Sequence, residues 1–299
     1  MKRSDSKIIA LVALCGMAAI CCSAHSAIAN RQYCVIDLST GANASSYPVK
    51  YLDEQPKGGF NTDEYKKETL VMRLIEPGTF KMEGHLITLS KPYYIGVFEV
   101  TQKQYELVMG RNPSVYKGDM RPVEHVNRKD VRGDSAAYDW PTSETVAPES
   151  FVGILRARTG LRFDLPTEAQ WEYACRAGTT GPYNGCDPGS TLAALGRYAW
   201  NLANKGGYDY AHTTVGMYLP NAWGLYDMHG NVWEKCLDWH GRVKKGDDPK
   251  GPSVGTYRIL RGGGWTNNPN LCTSFYRYSY VPSNAYSDVG VRLAVICRP

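Results

Sequence analysis

Residues 224–234 read G-L-Y-D-M-H-G-N-V-W-E, and residues 261–265 read R-G-G-G-W. A core strand or an amphipathic helix is built from interchangeable apolar residues. Here an acid, an amide and tryptophans stand at set places among glycines. Such runs must hold a particular backbone shape, and Gly224 and Gly230 permit the positive φ that it needs. Thiols are the second chemical resource. Beyond the first thirty residues lie Cys34, Cys175, Cys186, Cys236, Cys272 and Cys297. An even set in an oxidising compartment favours disulfides and leaves their connectivity open. None of the six forms a C-x-x-C pair, which argues against zinc-ribbon and thioredoxin-like chemistry. His85, His125, His212, His229 and His240 show no metal-ligand spacing, and His229 reads as a surface residue of its loop. Gly251 to Gly255 fits G-x-S-x-G, but it follows G-D-D-P and contains Pro252. A nucleophile elbow needs a strand before it and a helix after it.

The first 29 residues carry a different message. Lys2, Arg3 and Lys7 give a positive start, Ile8 to Cys22 is apolar, and Ala27-Ile28-Ala29 offers a small-residue cleavage site. This is the pattern of a secretory signal peptide, and the apolar run is short for a membrane span. The mature chain is expected to be exported, periplasmic or secreted, with no membrane span. The formal net charge is +5 and no Lys/Arg block stands out, so a nucleic-acid partner is not expected.

The hydrophobic fraction of 43% supports a real core. The chain holds 21 Tyr against 6 Phe, with 30 Gly and 17 Pro. Buried tyrosines need hydroxyl partners, and so much Gly and Pro points to a loop-rich fold. Residues 30–69 are polar and read as a leader arm over a single domain, 70–299. Within that domain, 71–82 alternates around Pro77-Gly78 as a hairpin, and 87–100 continues as strand. Capping boxes at Thr101/Gln104 and Thr167/Gln170, with Ser150 as a third cap, begin three short helices. Gly110, Gly160 and Gly178 end them. Some eighty residues after 178 show almost no periodicity, and 289–297 is a closing strand. Loops that long need a function or extra bonds to hold them.

Several blocks together resemble the formylglycine-generating enzyme (sulfatase-modifying factor) family. They are I-E-P-G-T-F-K-M (75–82), residues 92–105, R-P-V-E-H-V (121–126) and D-L-P-T-E-A-Q-W-E-Y-A-C-R-A-G (164–178). Residues 215–234, R-I-L-R-G-G-G-W (258–265) and G-V-R (290–292) complete the set. The resemblance implies an irregular, loop-rich α+β domain related to the C-type lectin fold. Active members oxidise a sulfatase cysteine to formylglycine with O2 and copper(I) held by two thiolates, and the soft ion explains the choice of sulfur. Carried over by position, one thiolate falls on Cys272 and the other on Asn267. The family's serine after R-G-G is Gly264, while Trp233 and Trp265 keep the aromatic character. An amide oxygen is a poor donor to copper(I). The chain is therefore expected to be a non-catalytic binding relative. The alternative is an active copper-dependent oxidase acting on a sulfatase, with Cys272 and Trp233 as catalytic residues.

Cys272 has three readings: half of a disulfide with Cys236, a lone thiol ligand, or a buried free thiol. Cys175 matches a family disulfide cysteine whose partner position is Arg277, and Cys186 is a possible local partner. The resemblance also implies calcium at Asp227, Gly230, Val232 and Glu234, where carboxylates and carbonyls on a tight loop are suitably hard donors. As a binding module the chain would meet a protein, peptide or sugar. Tyr276, Tyr278, Tyr280 and Tyr286 then offer either a stacking surface or further packing.

Overall fold

The computed structural model describes residues 31–184 and 211–297; the signal segment and Cys186 fall outside them. A six-stranded antiparallel sheet forms the centre, in the order β2 (Val49–Leu52), β1 (Tyr33–Asp37), β3 (Thr69–Ile75), β6 (Tyr93–Gly96), β13 (Ala294–Ile296) and β7 (Phe163–Asp164). Strand alternation divides the interior. Leu70, Met72, Leu74, Tyr94 and Val295 face one core, which also holds Tyr105, Phe151 and Leu155. Ile75, Tyr93 and Ile95 face another, built around Trp171, Cys175 and Cys236. This is an α+β chain of short helices and several small sheets.

The sequence-predicted helix ends are found where side chains cap them. Helix α2 (Gln102–Met109) follows α1 (Asp63–Lys67) and starts at the Thr101/Gln104 box. It ends at Gly110 with φ 71°. Next comes α3 (Arg128–Val131), with an Asn127/Asp130 box. Helix α4 (Phe151–Thr159) has Ser150 at its N-cap and Gly160 at its C-cap. Helix α5 (Glu168–Arg176) starts at the Thr167/Gln170 box. Its C-cap is Ala177, one residue earlier than Gly178 implied.

The strands depart from expectation in an instructive way. Residues 30–69 do not lie over the domain: β1 and β2 pair into the central sheet, and Cys34, Ile36 and Leu38 are fully buried. Residues 71–82 are not a hairpin. Chain direction changes at Pro77-Gly78, so β3 stays in the central sheet while β4 (Gly78–Met82) pairs with β5 (His85–Leu89). The hairpin turn is Glu83-Gly84, both at positive φ, the shape that short hairpin turns need. The expected strand over 87–100 likewise splits between β5 and β6. The closing strand splits into β12 (Val289–Gly290) and β13, with Arg292 in the gap.

A second sheet was not foreseen. Strands β11 (Tyr278–Tyr280), β10 (Arg258–Arg261), β8 (Trp233–Trp239) and β12 pair in that order, the last pair parallel. β9 (Gly246–Asp247) joins β5 in a third, small sheet. β8 reads W-E-K-C-L-D-W, and its first six residues are all buried, charges included. Sequence alternation does not reveal a strand whose polar residues face inward.

Candidate functional site

The two glycine-rich runs meet in space. Asn221 sets up the first: its Nδ2 donates to the carbonyls of Ala174 and Cys175 at 2.8 and 3.2 Å. Its Oδ1 accepts from the Trp223 and Leu225 amides. Gly224 then turns the chain at φ 80°. Asp227 and Asn231 also hold positive φ, at 62° and 65°, a conformation that Asp and Asn tolerate better than other side chains. Asn231 Oδ1 accepts from the Thr213 amide at 2.9 Å, and its carbonyl accepts from the Trp265 amide at 2.9 Å. That second bond joins the two runs.

Three carboxylates lie beneath this loop, all buried. Glu99 accepts from the Val232 amide at 3.1 Å and from the Asn231 side chain. Asp227 Oδ2 accepts from the Gly216 amide at 2.7 Å, while its Oδ1 is buried without a hydrogen-bond partner among the described residues. Glu234 is committed elsewhere. Arg292 Nε donates to both its oxygens, Arg292 Nη2 to one at 2.7 Å, and Trp171 Nε1 to the other at 2.6 Å. Burial, then the charges of Asp227 and Glu234, push Glu99 well above the usual carboxylate range. Burial raises Asp227 to about 6, against the opposing pull of the Gly216 amide.

Arg292 and Lys66 both act on Asp227, so what favours a cation beside it is its one carboxylate oxygen left without a donor among the described residues. Asp227 Oδ1 with the Gly230 and Val232 carbonyls would hold it. Glu234 is spent on Arg292. Among the described residues no group of three His, Cys, Asp or Glu stands ready as a metal cage.

The second run is set by Arg261. Its guanidinium pairs with Glu172 and donates to the carbonyls of Ser274 at 2.8 Å and Tyr276 at 2.6 Å. These bonds bind residues 274–276 to α5. Gly263, at φ 79°, lets the chain pass close to Cys272: a Cβ there would lie 2.5 Å from Cys272 Sγ. Asn267 closes the loop on itself. Its Oδ1 accepts from the Gly264 amide, and its own amide donates to the Gly264 carbonyl, both at 2.9 Å.

Cys272 is a buried free thiol, raised to about 12 by burial. Its sulfur lies 3.8 Å from the Asn268 carbonyl. Cys236, the expected disulfide partner, is also free; it packs into the core under α5 with Ala169 and Ala174. Cys34, Cys175 and Cys297 are free as well. Arg277, at the position expected to pair with Cys175, makes a two-pronged bond to Glu168 instead.

His229 is not a surface residue. It is fully buried, and its Nε2 accepts from the Asn184 amide at 2.9 Å. Nδ1 therefore carries the proton and donates to the Cys272 carbonyl at 2.8 Å. Burial lowers this imidazole to about 4, which keeps it neutral. His229 and Glu99 are the site residues that sequence reasoning missed. The histidine inside an ordered loop was a usable signal; Glu99 lies too far along the chain to offer one.

Trp233 is buried and stacks on Tyr278 at 5.2 Å between ring centres. Tyr278, Phe275 and Tyr286 are exposed, whereas Tyr280 is buried. Only part of the expected tyrosine row is thus a surface. Tyr183 Oη donates to the carbonyl of Pro269, and the carbonyl of Pro182 accepts from the Ser274 amide.

This fold and loop pair define the class of protein. Residues 58–296 match the sulfatase-modifying factor enzyme 1-like domain, and the chain belongs to that family. It is 32% identical over 254 residues to the chaperone protein LppX of Paenibacillus barcinonensis, covering 74% of this chain and 87% of that protein. It is 34% identical over 146 residues to the formylglycine-generating enzyme of Streptomyces coelicolor, covering 44% of this chain and only 46% of that enzyme. Among solved structures, Treponema denticola variable protein 1 superposes with a TM-score of 0.62 at 30% identity, covering 77% of this chain and 96% of that one. The C-type lectin-like α+β architecture is thereby shown.

The close approach at Gly263 yields a paired prediction. Gly263→Ala should cost about 2–4 kcal/mol, through positive φ and overpacking against Cys272. At Gly264 a Cβ would meet nothing nearer than 3.3 Å, and Gly264→Ala should cost about 1 kcal/mol or less. Urea unfolding measures both, and equal costs would contradict the packing described.

Proposed function

We propose that the chain is an exported, non-catalytic binding member of its family. The observation that carries this reading is the state of the position where a second thiolate would stand. Asn267 is an amide, and its oxygen is already used by the Gly264 amide. Cys272 opposite is protonated at neutral pH, because burial in apolar surroundings disfavours the thiolate. Among the described residues a soft monovalent ion finds no pair of thiolates here, so these residues do not fit copper(I) and no oxidation step is drawn through them.

What is left is a rigid loop pair presenting Phe275, Tyr278 and Tyr286. Aromatic side chains backed by a packed sheet suit stacking on a peptide or sugar, since little rotamer freedom is lost on binding. The relative named as a chaperone supports a role in binding a protein. Export rests on the first 29 residues; no helix among the described residues is long and apolar enough to cross a membrane.

The test is incubation with copper and a Cys-x-Pro-x-Arg peptide, read by mass spectrometry. The peptide thiol should remain intact, and native Cys272 should resist alkylation until the chain is unfolded. Aldehyde formation would overturn the reading.

Calcium forms a second, separable part of the proposal. An ion at Asp227 would offset the buried negative charge there. At a hundredfold excess over Kd it should raise Tm by about 5–10 °C. Asp227→Ala should abolish the rise, and a wild-type Tm indifferent to both calcium and chelator would remove calcium from the account.

A further inference from the structure

The face of the second sheet that carries Trp233 continues inward to Lys235 and Tyr280. Lys235 Nζ lies 4.4 Å from the centre of the Tyr280 ring. Tyr280 sits opposite Arg258 in the β10–β11 pairing. Arg258 contacts Asp139 directly, and Arg128 of α3 reaches the same carboxylate at 3.8 Å. Lys235 and Arg258 are wholly buried, Arg128 and Tyr280 all but 3%.

Polar groups so deeply enclosed are normally paired. Here Lys235 Nζ, Tyr280 Oη, both Arg128 Nη atoms and Arg258 Nε have no hydrogen-bond partner among the described residues. All five can donate, and all belong to one cluster. The charges do not balance either: Arg258 and Arg128 share the one carboxylate of Asp139, while burial lowers Lys235 to about 7 against the pull of Asp288 and Asp130. The other acids nearby are committed, Asp130 to Arg111 and Asp164 to Arg132 and Arg156. Asp288 accepts from Thr266. Ordered water could satisfy the donors, but it would leave the charge uncompensated.

We propose that a small inorganic anion, of the size and charge of chloride, binds among Arg128, Lys235 and Tyr280. One monovalent anion supplies acceptors to several converging donors and counters the Arg128 charge that Asp139, already paired with Arg258, leaves over. Burial of all four side chains excludes a large occupant. Its position is structural. The Arg128 amide donates to the Pro282 carbonyl at 2.9 Å and the His125 amide to the Tyr286 carbonyl at 3.0 Å. Tyr278, two residues from Tyr280, stacks on Trp233. The anion would thus brace the exposed aromatic surface from beneath, whatever that surface binds.

Thermal unfolding in sodium chloride, bromide and gluconate at matched ionic strength tests this. Chloride and bromide should each raise Tm saturably, by about 3 °C over gluconate. Arg128→Gln should lose the rise, and Lys235→Met serves in its place should that variant fail to fold. Crystals grown in bromide should show an anomalous peak between these donors. Equal Tm in all three salts, an undiminished halide effect in the folded variants, or water without bromide at the donors would each overturn the proposal.

Discussion

The buried pair Glu234–Arg292 is the contact on which the rest of the molecule depends. Glu234 stands on β8 of the second sheet; Arg292 stands in the gap between β12 and β13, where the closing segment passes from one sheet to the other. Trp171 adds α5 to the pair. Arg292 spends its remaining donors on the carbonyls of Gly96, Val97 and Tyr226. One ion pair therefore joins two sheets, a helix and the loop that carries Asp227. Such a pair is weak evidence for net stability, because desolvation offsets the attraction. Its effect is on arrangement: either partner left alone would be an uncompensated charge in the interior.

The site loops follow from that arrangement. With β8 and the 224–234 run held, the Asn231 carbonyl meets the Trp265 amide and Arg261 draws residues 274–276 onto α5. Gly263 then brings Cys272 into close packing, and His229 holds its carbonyl. The result is a thiol kept protonated and an amide kept busy, under a surface whose aromatic rings are backed by packed structure.

The legible parts of the sequence were those with local causes. Capping boxes and left-handed glycines act within four residues, so the starts of α2, α4 and α5 and the ends of α2 and α4 could be read directly. Misreadings came from causes distant along the chain. Pro77-Gly78 looks like a hairpin turn until Tyr173, whose Oη would lie 2.0 Å from a Cβ on Gly78, is seen to require a corner there. β8 was missed because Glu234, Lys235 and Asp238 are inward charges: Glu234 meets Arg292, Asp238 accepts from the Glu168 amide, and Lys235 lies over the Tyr280 ring. Glu99 meets Val232 across 133 positions, a contact that no local pattern announces. The disulfide expectation came from compartment, whereas Cys236 packs into the core around Trp171 and Cys272 packs against Gly263.

A double-mutant cycle at Glu234 and Arg292 tests the central claim most directly. Glu234→Gln and Arg292→Met should each cost about 3–5 kcal/mol in urea unfolding, with the double variant no worse than the poorer single one. Single-variant costs that simply add, within about 0.5 kcal/mol, would show that the two side chains do not act as a unit and would contradict the account.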